Sequence, residues 1–406
     1  MKYVILVGDG MGDYPVPELD NQSPLQKADI PLIRSIAASG ELRMVQTVPI
    51  GLPPGSDVAN LALMGYNASE NYTGRAPIEA AGAQIPMTPE EVAYRCNLVT
   101  VDESGRMDDY SAGHISTEEG RQILETLARK FNHADRSFHP GVQYRHLLKI
   151  TDGPMNIRTF PPHDIAGQAV VDHLPEGPGA EALRDLMERS KALLAEHPVN
   201  QQRRAEGKKP ATQIWLWGQG RAMRLDSYQQ LYGLRGGVIT AVDLVKGLGR
   251  LAGLEAPDIE GATGFLDTNY AGKRETALRI LDREDFVYVH IEAPDECGHI
   301  GRADLKVQAI EAYEREIVRP VFDWLENRGE PYRLVICTDH RTPVALRGHT
   351  AEPVPMTVLR GPVGTLRPGT AFDETVHNGQ AECMACDWIR EVLLEKAEAP
   401  DSQTEQ

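Results

Sequence analysis

Three short apolar runs along the chain stop abruptly at polar residues. "YVILV" runs into Gly8-Asp9, "FVYVHI" into Glu292, and "RLVIC" into Thr338-Asp339. Runs this short, rich in Val and Ile, fit the central strands of a parallel sheet covered on both faces. Between them the spacing becomes helical. "PLIRSIAASG" opens with Pro31 and closes at Gly40, the residues expected to start and stop a helix. "ADLKVQAIEAYEREIVRPVFDWLE" places Val307, Ile310, Ile317, Val318 and Val321 near a helical repeat, with Pro320 set to kink it or end its first part. The pattern predicts an α/β fold with a central, mostly parallel sheet flanked by helices.

The middle of the chain differs. From about Met87 to Leu231 it carries histidines, prolines and charged stretches, including "AEHPVNQQRRAEGKKPATQ", which reads as a polar, basic break. The sheet resumes near "GGVITAVDLVKGLG", so the middle reads as an inserted, smaller domain. The tail "EAPDSQTEQ" is expected to be disordered. The N-terminal "MKYVILVGDG" is too short for a signal-peptide core and reads as a strand. No apolar run approaches the roughly 20 residues of a bilayer span, so no membrane partner is expected.

Composition changes this picture in two ways. A net charge of −17 makes nucleic acid an unfavourable general partner, while leaving room for a local basic pocket for a small phosphate. The five cysteines, Cys96, Cys297, Cys337, Cys383 and Cys386, are scattered and odd in number, which suits a reducing cytoplasm. Cys383 and Cys386 form a C-x-x-C in "AECMACDWIREVLLEKA", read as the apolar side of a C-terminal helix.

The strand ends hold the candidate chemistry. Asp9 follows the first strand in "VGDGMGD". Asp295 and His299 follow the second in "EAPDECGHIG", four residues apart and on one side if that segment is helical. Asp339 and His340 follow the third, with His349 beyond. Open α/β sheets place ligands beyond the carboxyl ends of their strands. These acids and histidines suffice for two divalent metal ions, and the mixed carboxylate and imidazole set suits Mn²⁺ or Zn²⁺ better than Ca²⁺. In "VPIGLPPGSDVANLALMGY" a Pro-Pro-Gly turn puts Ser56 at a helix start, where it is either an ordinary cap or a nucleophile activated by a metal.

"GDGMGD", "GSDVANLALMGY" with "YTGRAPIEAAG", "APDECGHIG", "TDHRTP" and "GHTAEPVP" together resemble the alkaline phosphatase superfamily, and more closely the archaeal-type 2,3-bisphosphoglycerate-independent phosphoglycerate mutases. "RCNLVTVD", "DYSAGHISTEEG", "GVQYRHLL" and "PPHDIAG" extend the resemblance across the middle. It implies an alkaline-phosphatase-like core over 1–82 and 232–406, and an inserted α/β (α+β) phosphotransferase domain over 83–231. It implies one metal held by Asp9, Ser56, Asp339 and His340, and another by Asp295, His299 and His349. Ser56 would be transiently phosphorylated as 3-phosphoglycerate and 2-phosphoglycerate interconvert.

The metals are expected to be Mn²⁺, with Zn²⁺, Co²⁺ or Mg²⁺ as alternatives, and neither bisphosphoglycerate nor a nucleotide is expected as cofactor. His114 and Asp164 are the candidates for proton transfer. Arg145, His163 and Arg203 in the middle, with Arg75 and Lys273 on the core side, are the candidates for binding a small phosphorylated three-carbon acid. The family implies a monomer or weak homo-oligomer. The chain departs from the longer bacterial mutases in lacking a histidine just after the nucleophile segment and in its shorter transferase domain. A phosphatase or phosphotransferase of the same superfamily, including a homoserine-kinase-like enzyme, remains the alternative. No G-x-x-x-x-G-K-[ST] loop is present to favour a kinase.

Overall fold

The computed structural model describes residues 1–369 and 371–396, so the tail "EAPDSQTEQ" lies outside the described residues. The strands in chain order are β1 (Lys2–Gly8), β2 (Glu41–Gln46), β3 (Glu91–Val101), β4 (Met107–Asp109), β5 (Arg136–His139), β6 (Arg145–Thr151), β7 (Gln213–Arg221), β8 (Gly236–Ile239), β9 (Phe286–Ile291), β10 (Tyr332–Cys337), β11 (Val354–Gly361) and β12 (Cys383–Met384). The chain forms two compact units, one from Met1–Tyr72 and from Leu225 onward, the other Thr73–Arg224.

The first unit holds a seven-stranded sheet in the order β12-β2-β11-β10-β1-β9-β8. β10, β1, β9 and β8 are parallel to one another, and β11 turns antiparallel. β1 is buried along its whole length, as a strand covered on both faces must be. Val4 and Leu6 of β1, Val287 and Val289 of β9, and Leu334 and Ile336 of β10 pack on one face, against Ile33, Ile36, Ala277, Ile280, Ala309 and Ile310 of the helices. The alternate residues face the other side, where the Tyr288 hydroxyl reaches Asn60 of the helix Ser56–Leu63. The three strands that end in acids are thus immediate neighbours, with Val7 opposite Cys337 and Gly8 opposite Ile291. Their carboxyl ends deliver Asp9, Asp295 and Asp339 side by side.

The helix Ala303–Tyr313 does not stop at a break but continues through a π turn, Glu314–Val318, into the helix Arg319–Arg328, which holds Pro320 in its first turn. Proline has no N–H to give to the carbonyl four residues back, Glu316 O. Arg274 Nη1 donates to that oxygen instead, at 3.2 Å. The π turn also leaves buried Glu314 facing the helix Pro31–Ser39, whose N-cap, Ile30, has no capping side chain. Glu314 Oε2 accepts from Ile33 N at 2.9 Å and so caps that helix from another element. Glu314→Ala should lower stability by about 1–2 kcal/mol in denaturant unfolding, and Glu314→Gln by less, because the amide keeps an acceptor.

The second unit is an antiparallel sheet in the order β4-β3-β6-β5, with β7 also paired to β3. Val92, Tyr94, Cys96 and Leu98 of β3 pack on Ile123, Leu124 and Leu127 of the helix Thr117–Phe131 and on Leu183, Leu186 and Met187 of the helix Ala180–Ala195. Ala93 and Leu147 face the other way, onto Ala76 and Ala80 of the helix Arg75–Gly82. That packing puts the helix Arg75–Gly82 in the inserted unit, whereas the division at 82 assigned it to the core. The unit likewise ends at Arg224, ahead of the expected 231. The polar stretch "AEHPVNQQRRAEGKKPATQ" is not a break. It contains a helix, Pro198–Ala205, capped by His197 and buried at Val199, Asn200 and Arg203, which share one side. No helix among the described residues is long and apolar enough to cross a membrane.

Candidate active site

The helix Ala293–His299 follows β9 and carries Asp295 and His299 one turn apart, as their spacing predicts. Asp295 Oδ2 lies 3.1 Å from His299 Nε2, Asp295 Oδ1 lies 3.4 Å from His349 Nε2, and the two Nε2 atoms are 3.0 Å apart. Asp9, Asp339 and His340 form a second group: His340 Nε2 is 3.4 Å from Asp9 Oδ1 and 3.5 Å from Asp339 Oδ2. Within each group the candidate ligand atoms all lie within 4.8 Å of one another. Ser56 is the first residue of its helix, after Gly55, and its Oγ lies 3.1 Å from His340 Nε2.

Three residues outside the expected set hold these side chains in place. Asn60 Nδ2 donates to Asp339 Oδ2 at 2.8 Å and to Ser56 O, while its Oδ1 accepts from Tyr288. Thr342 Oγ1 donates to Asp295 Oδ1 and lies 3.2 Å from His340 Nδ1, so it touches a member of each group. His290 is fully buried, with Nε2 3.1 Å from Asp9 Oδ2 and Nδ1 3.4 Å from Thr240 Oγ1. Asn60 and Thr342 carry no sequence signal beyond their closeness to Ser56 and His340.

The electrostatics call for a cation. Asp9, Asp295 and Asp339 are all buried. Burial and the neighbouring carboxylates of Asp339, Asp295 and Glu292 push Asp9 well above the usual carboxylate range. Burial lowers His340 to about 4, so it is a neutral imidazole with a lone pair to give at neutral pH. Burial opposes the shift at His299, but Asp295 raises it to about 9. Asp9 Oδ1 is buried without a hydrogen-bond donor. Clustered buried carboxylates, an orphaned carboxylate oxygen and neutral imidazole are the donor set of a divalent metal, and the residues present fit two such ions.

The inserted unit brings together a different set. Arg75 Nε pairs with Glu79 Oε1 at 3.1 Å and Arg95 Nε with Glu79 Oε2 at 2.9 Å. Both guanidinium groups lie over the Trp217 ring, at 5.9 and 4.4 Å from its centroid. The charge of Arg145 is felt at Glu79 and Arg95. His163 stands edge-on to Trp217 and to Tyr110, with Nε2 3.6 Å from Asp164 Oδ1. Arg95 was missed. Its signal is the alternation in "EVAYRCNLVTV", where Arg95 and Asn97 occupy the face opposite Tyr94 and Cys96. Arg75 belongs to this unit and not to the core.

One expectation about a side chain needs correction. Arg203 is not placed to bind substrate: it is buried, and its guanidinium donates to Lys209 O, both Glu119 carboxylate oxygens, Ala112 O and Gly113 O. All five donors are used inside the protein, and they hold the turn that leads to exposed His114. Lys273 is fully buried on the helix Tyr270–Arg283, and burial, opposed by Glu292, lowers it to about 8. Of the cysteines, Cys386 is buried in the C-terminal helix Ala385–Leu394, whereas Cys383 lies in β12.

Comparison with known proteins gives the chain's family. Residues 37–200 match the family model described as 2,3-bisphosphoglycerate-independent phosphoglycerate mutase. The chain is 50% identical over 374 residues to the protein of that name from Methanothrix thermoacetophila, covering 92% of this chain and 94% of that one. It is 45% identical over 375 residues to its counterpart from Methanosarcina barkeri, with the same coverage. Among solved structures, a protein from Pyrococcus horikoshii superposes with a TM-score of 0.78 at 27% identity, covering 98% of this chain and 99% of that one. The cofactor-independent phosphoglycerate mutase of Thermoplasma acidophilum shares the fold, with a TM-score of 0.61 at 23% identity and coverage of 97% and 100%. The chain belongs to the 2,3-bisphosphoglycerate-independent phosphoglycerate mutase family.

Proposed function

We propose that this protein interconverts 3-phosphoglycerate and 2-phosphoglycerate through a phosphorylated Ser56. The observation that carries the reading is the Ser56 hydroxyl, at a helix start and 3.1 Å from His340 Nε2 on the edge of the Asp9, Asp339 and His340 group. Asp9, Asp339, His340 and Ser56 would hold one divalent ion, and Asp295, His299 and His349 the other. When bound, such ions lower the pKa of a coordinated hydroxyl and neutralise charge on a transferring phosphoryl group. Mn²⁺ is the ion to test first, against Zn²⁺, Co²⁺ and Mg²⁺.

Ser56 Oγ attacks phosphorus as the bond to the C3 oxygen breaks, which gives phosphoserine and glycerate. The C2 hydroxyl of glycerate then attacks phosphoserine, the Oγ–P bond breaks, and 2-phosphoglycerate leaves. His114 and Asp164 are the candidates to carry the proton between the two substrate hydroxyls. Lys273 is a candidate cation for the phosphoryl group.

Arg75 and Arg95 pair with Glu79, the charge of Arg145 acts on the same carboxylate, and guanidinium groups of this kind suit a substrate carboxylate. Arg145 is exposed, so its replacement should leave the fold intact. Arg145→Gln should raise KM for 3-phosphoglycerate by about 10–100-fold, the worth of a charge-assisted hydrogen bond. Steady-state kinetics should show a smaller change in kcat.

The function is tested with Mn²⁺ and 3-phosphoglycerate, in the absence of bisphosphoglycerate and nucleotide, following 2-phosphoglycerate and free phosphate together. Formation of 2-phosphoglycerate supports the mutase. Free phosphate alone would make the protein a phosphatase with the same core.

A further inference from the structure

We propose that Lys306, a residue of the helix Ala303–Tyr313, is a positioning residue for both metal-ligand groups. The inference rests on the metal reading above and adds a part that the ligands do not reveal. Lys306 is fully buried, among residues such as Ala309 and Ile310 that a shorter apolar side chain would join at less cost. Its ammonium donates to Gly12 O at 2.9 Å, Asp13 Oδ2 at 2.8 Å and Thr342 O at 2.8 Å. These bonds use all three of its donors.

The acceptors lie on two loops, one leaving β1 and one leaving β10. The first loop begins with Asp9 and the second carries Asp339, His340 and Thr342. Further bonds join the same loops. Gly10 N donates to Asp339 Oδ1 at 3.0 Å, Met11 N to Thr338 Oγ1 at 2.9 Å, and Thr342 N to Gly12 O at 3.0 Å. Asp13 receives Val344 N as well as the ammonium. Lys306 therefore fixes the spacing between Asp9 and the Asp339-His340 pair. Through Thr342, whose hydroxyl donates to Asp295 and lies beside His340 Nδ1, it also ties that group to the second one. The ammonium touches no ligand directly, so its effect must appear as altered metal coordination.

The test is calorimetric titration of metal-free protein with Mn²⁺, together with the visible absorption spectrum of the Co²⁺-loaded protein. Lys306→Met should weaken Mn²⁺ binding by about 10–100-fold and shift the Co²⁺ bands. This variant leaves the buried Asp13 carboxylate without its cation, so a second variant, Lys306→Met with Asp13→Asn, removes both charges. It should fold and bind metal no better than the single variant. A folded double variant with wild-type affinity and an unchanged Co²⁺ spectrum would overturn the proposal. So would loss of the fold in both variants, which would make the pair an element of folding only. Absence of metal binding by the wild-type protein would instead sink the metal reading itself, and the two failures are told apart by that control.

Discussion

Ser56→Ala abolishes mutase turnover, with kcat reduced by about 10⁴-fold or more, the scale seen when a nucleophile is removed from a unit that acts together. The expectation follows from position. Ser56 is the first residue of its helix, where free backbone N–H groups and the helix dipole favour an incoming phosphoryl group. Its backbone is anchored independently of its hydroxyl: Asn60 Nδ2 donates to Ser56 O. Alanine keeps that bond, so the variant should fold and retain the Asp295, His299 and His349 group intact. Metal titration of Ser56→Ala therefore separates loss of the nucleophile from loss of the site. A variant with kcat within tenfold of wild type would assign the phosphoryl acceptor to another residue.

Removing the metals should cost nearly as much. A chelator should bring activity down by about 10³-fold or more, since the charge stabilisation lost is several kcal/mol, and Mn²⁺ should restore it. Asp339→Asn should mimic the effect at one group without the chelator. It replaces a buried carboxylate that Gly10 N and Asn60 Nδ2 already orient, so the loss falls on cation affinity. The pH dependence has a definite sign. His299 is raised to about 9 in the metal-free protein and must lose its proton to bind metal. Below that value each unit fall in pH should weaken metal binding at this group by about tenfold, while His340, lowered to about 4, adds nothing until far lower pH. Mn²⁺ titrations between mildly acid and mildly alkaline pH would show this slope, and an affinity independent of pH would contradict it.

The parts of this account that were legible in the sequence share a physical cause. "YVILV", "FVYVHI" and "RLVIC" read as strands because a strand buried on both faces tolerates only apolar residues, and the acids after them stand out for the same reason. Asp295 and His299 read as neighbours because four residues make one helical turn. That β10, β1 and β9 lie side by side was not legible, because strand order comes from tertiary pairing and not from any one segment. Arg203 was misread because a charged residue in "NQQRRAEG" resembles a solvated surface, and its burial depends on acceptors from Glu119, Ala112 and Gly113 far away in sequence. Arg95 was overlooked because its partner Glu79 and its stacking ring Trp217 lie on a helix and a strand distant from it. Lys306 is the extreme case: its position in a helical repeat says nothing of the two loops it joins.

Transfer through Ser56 leaves a covalent phosphoryl group on the protein within each turnover. The most direct measurement is to mix metal-loaded protein with 3-phosphoglycerate, quench with acid within a turnover, and map phosphorylation by peptide mass spectrometry. One phosphorylated peptide is expected, with the phosphoryl group on Ser56, forming and decaying fast enough to support 2-phosphoglycerate production. Steady formation of 2-phosphoglycerate with Ser56 unmodified at every quench time would contradict it.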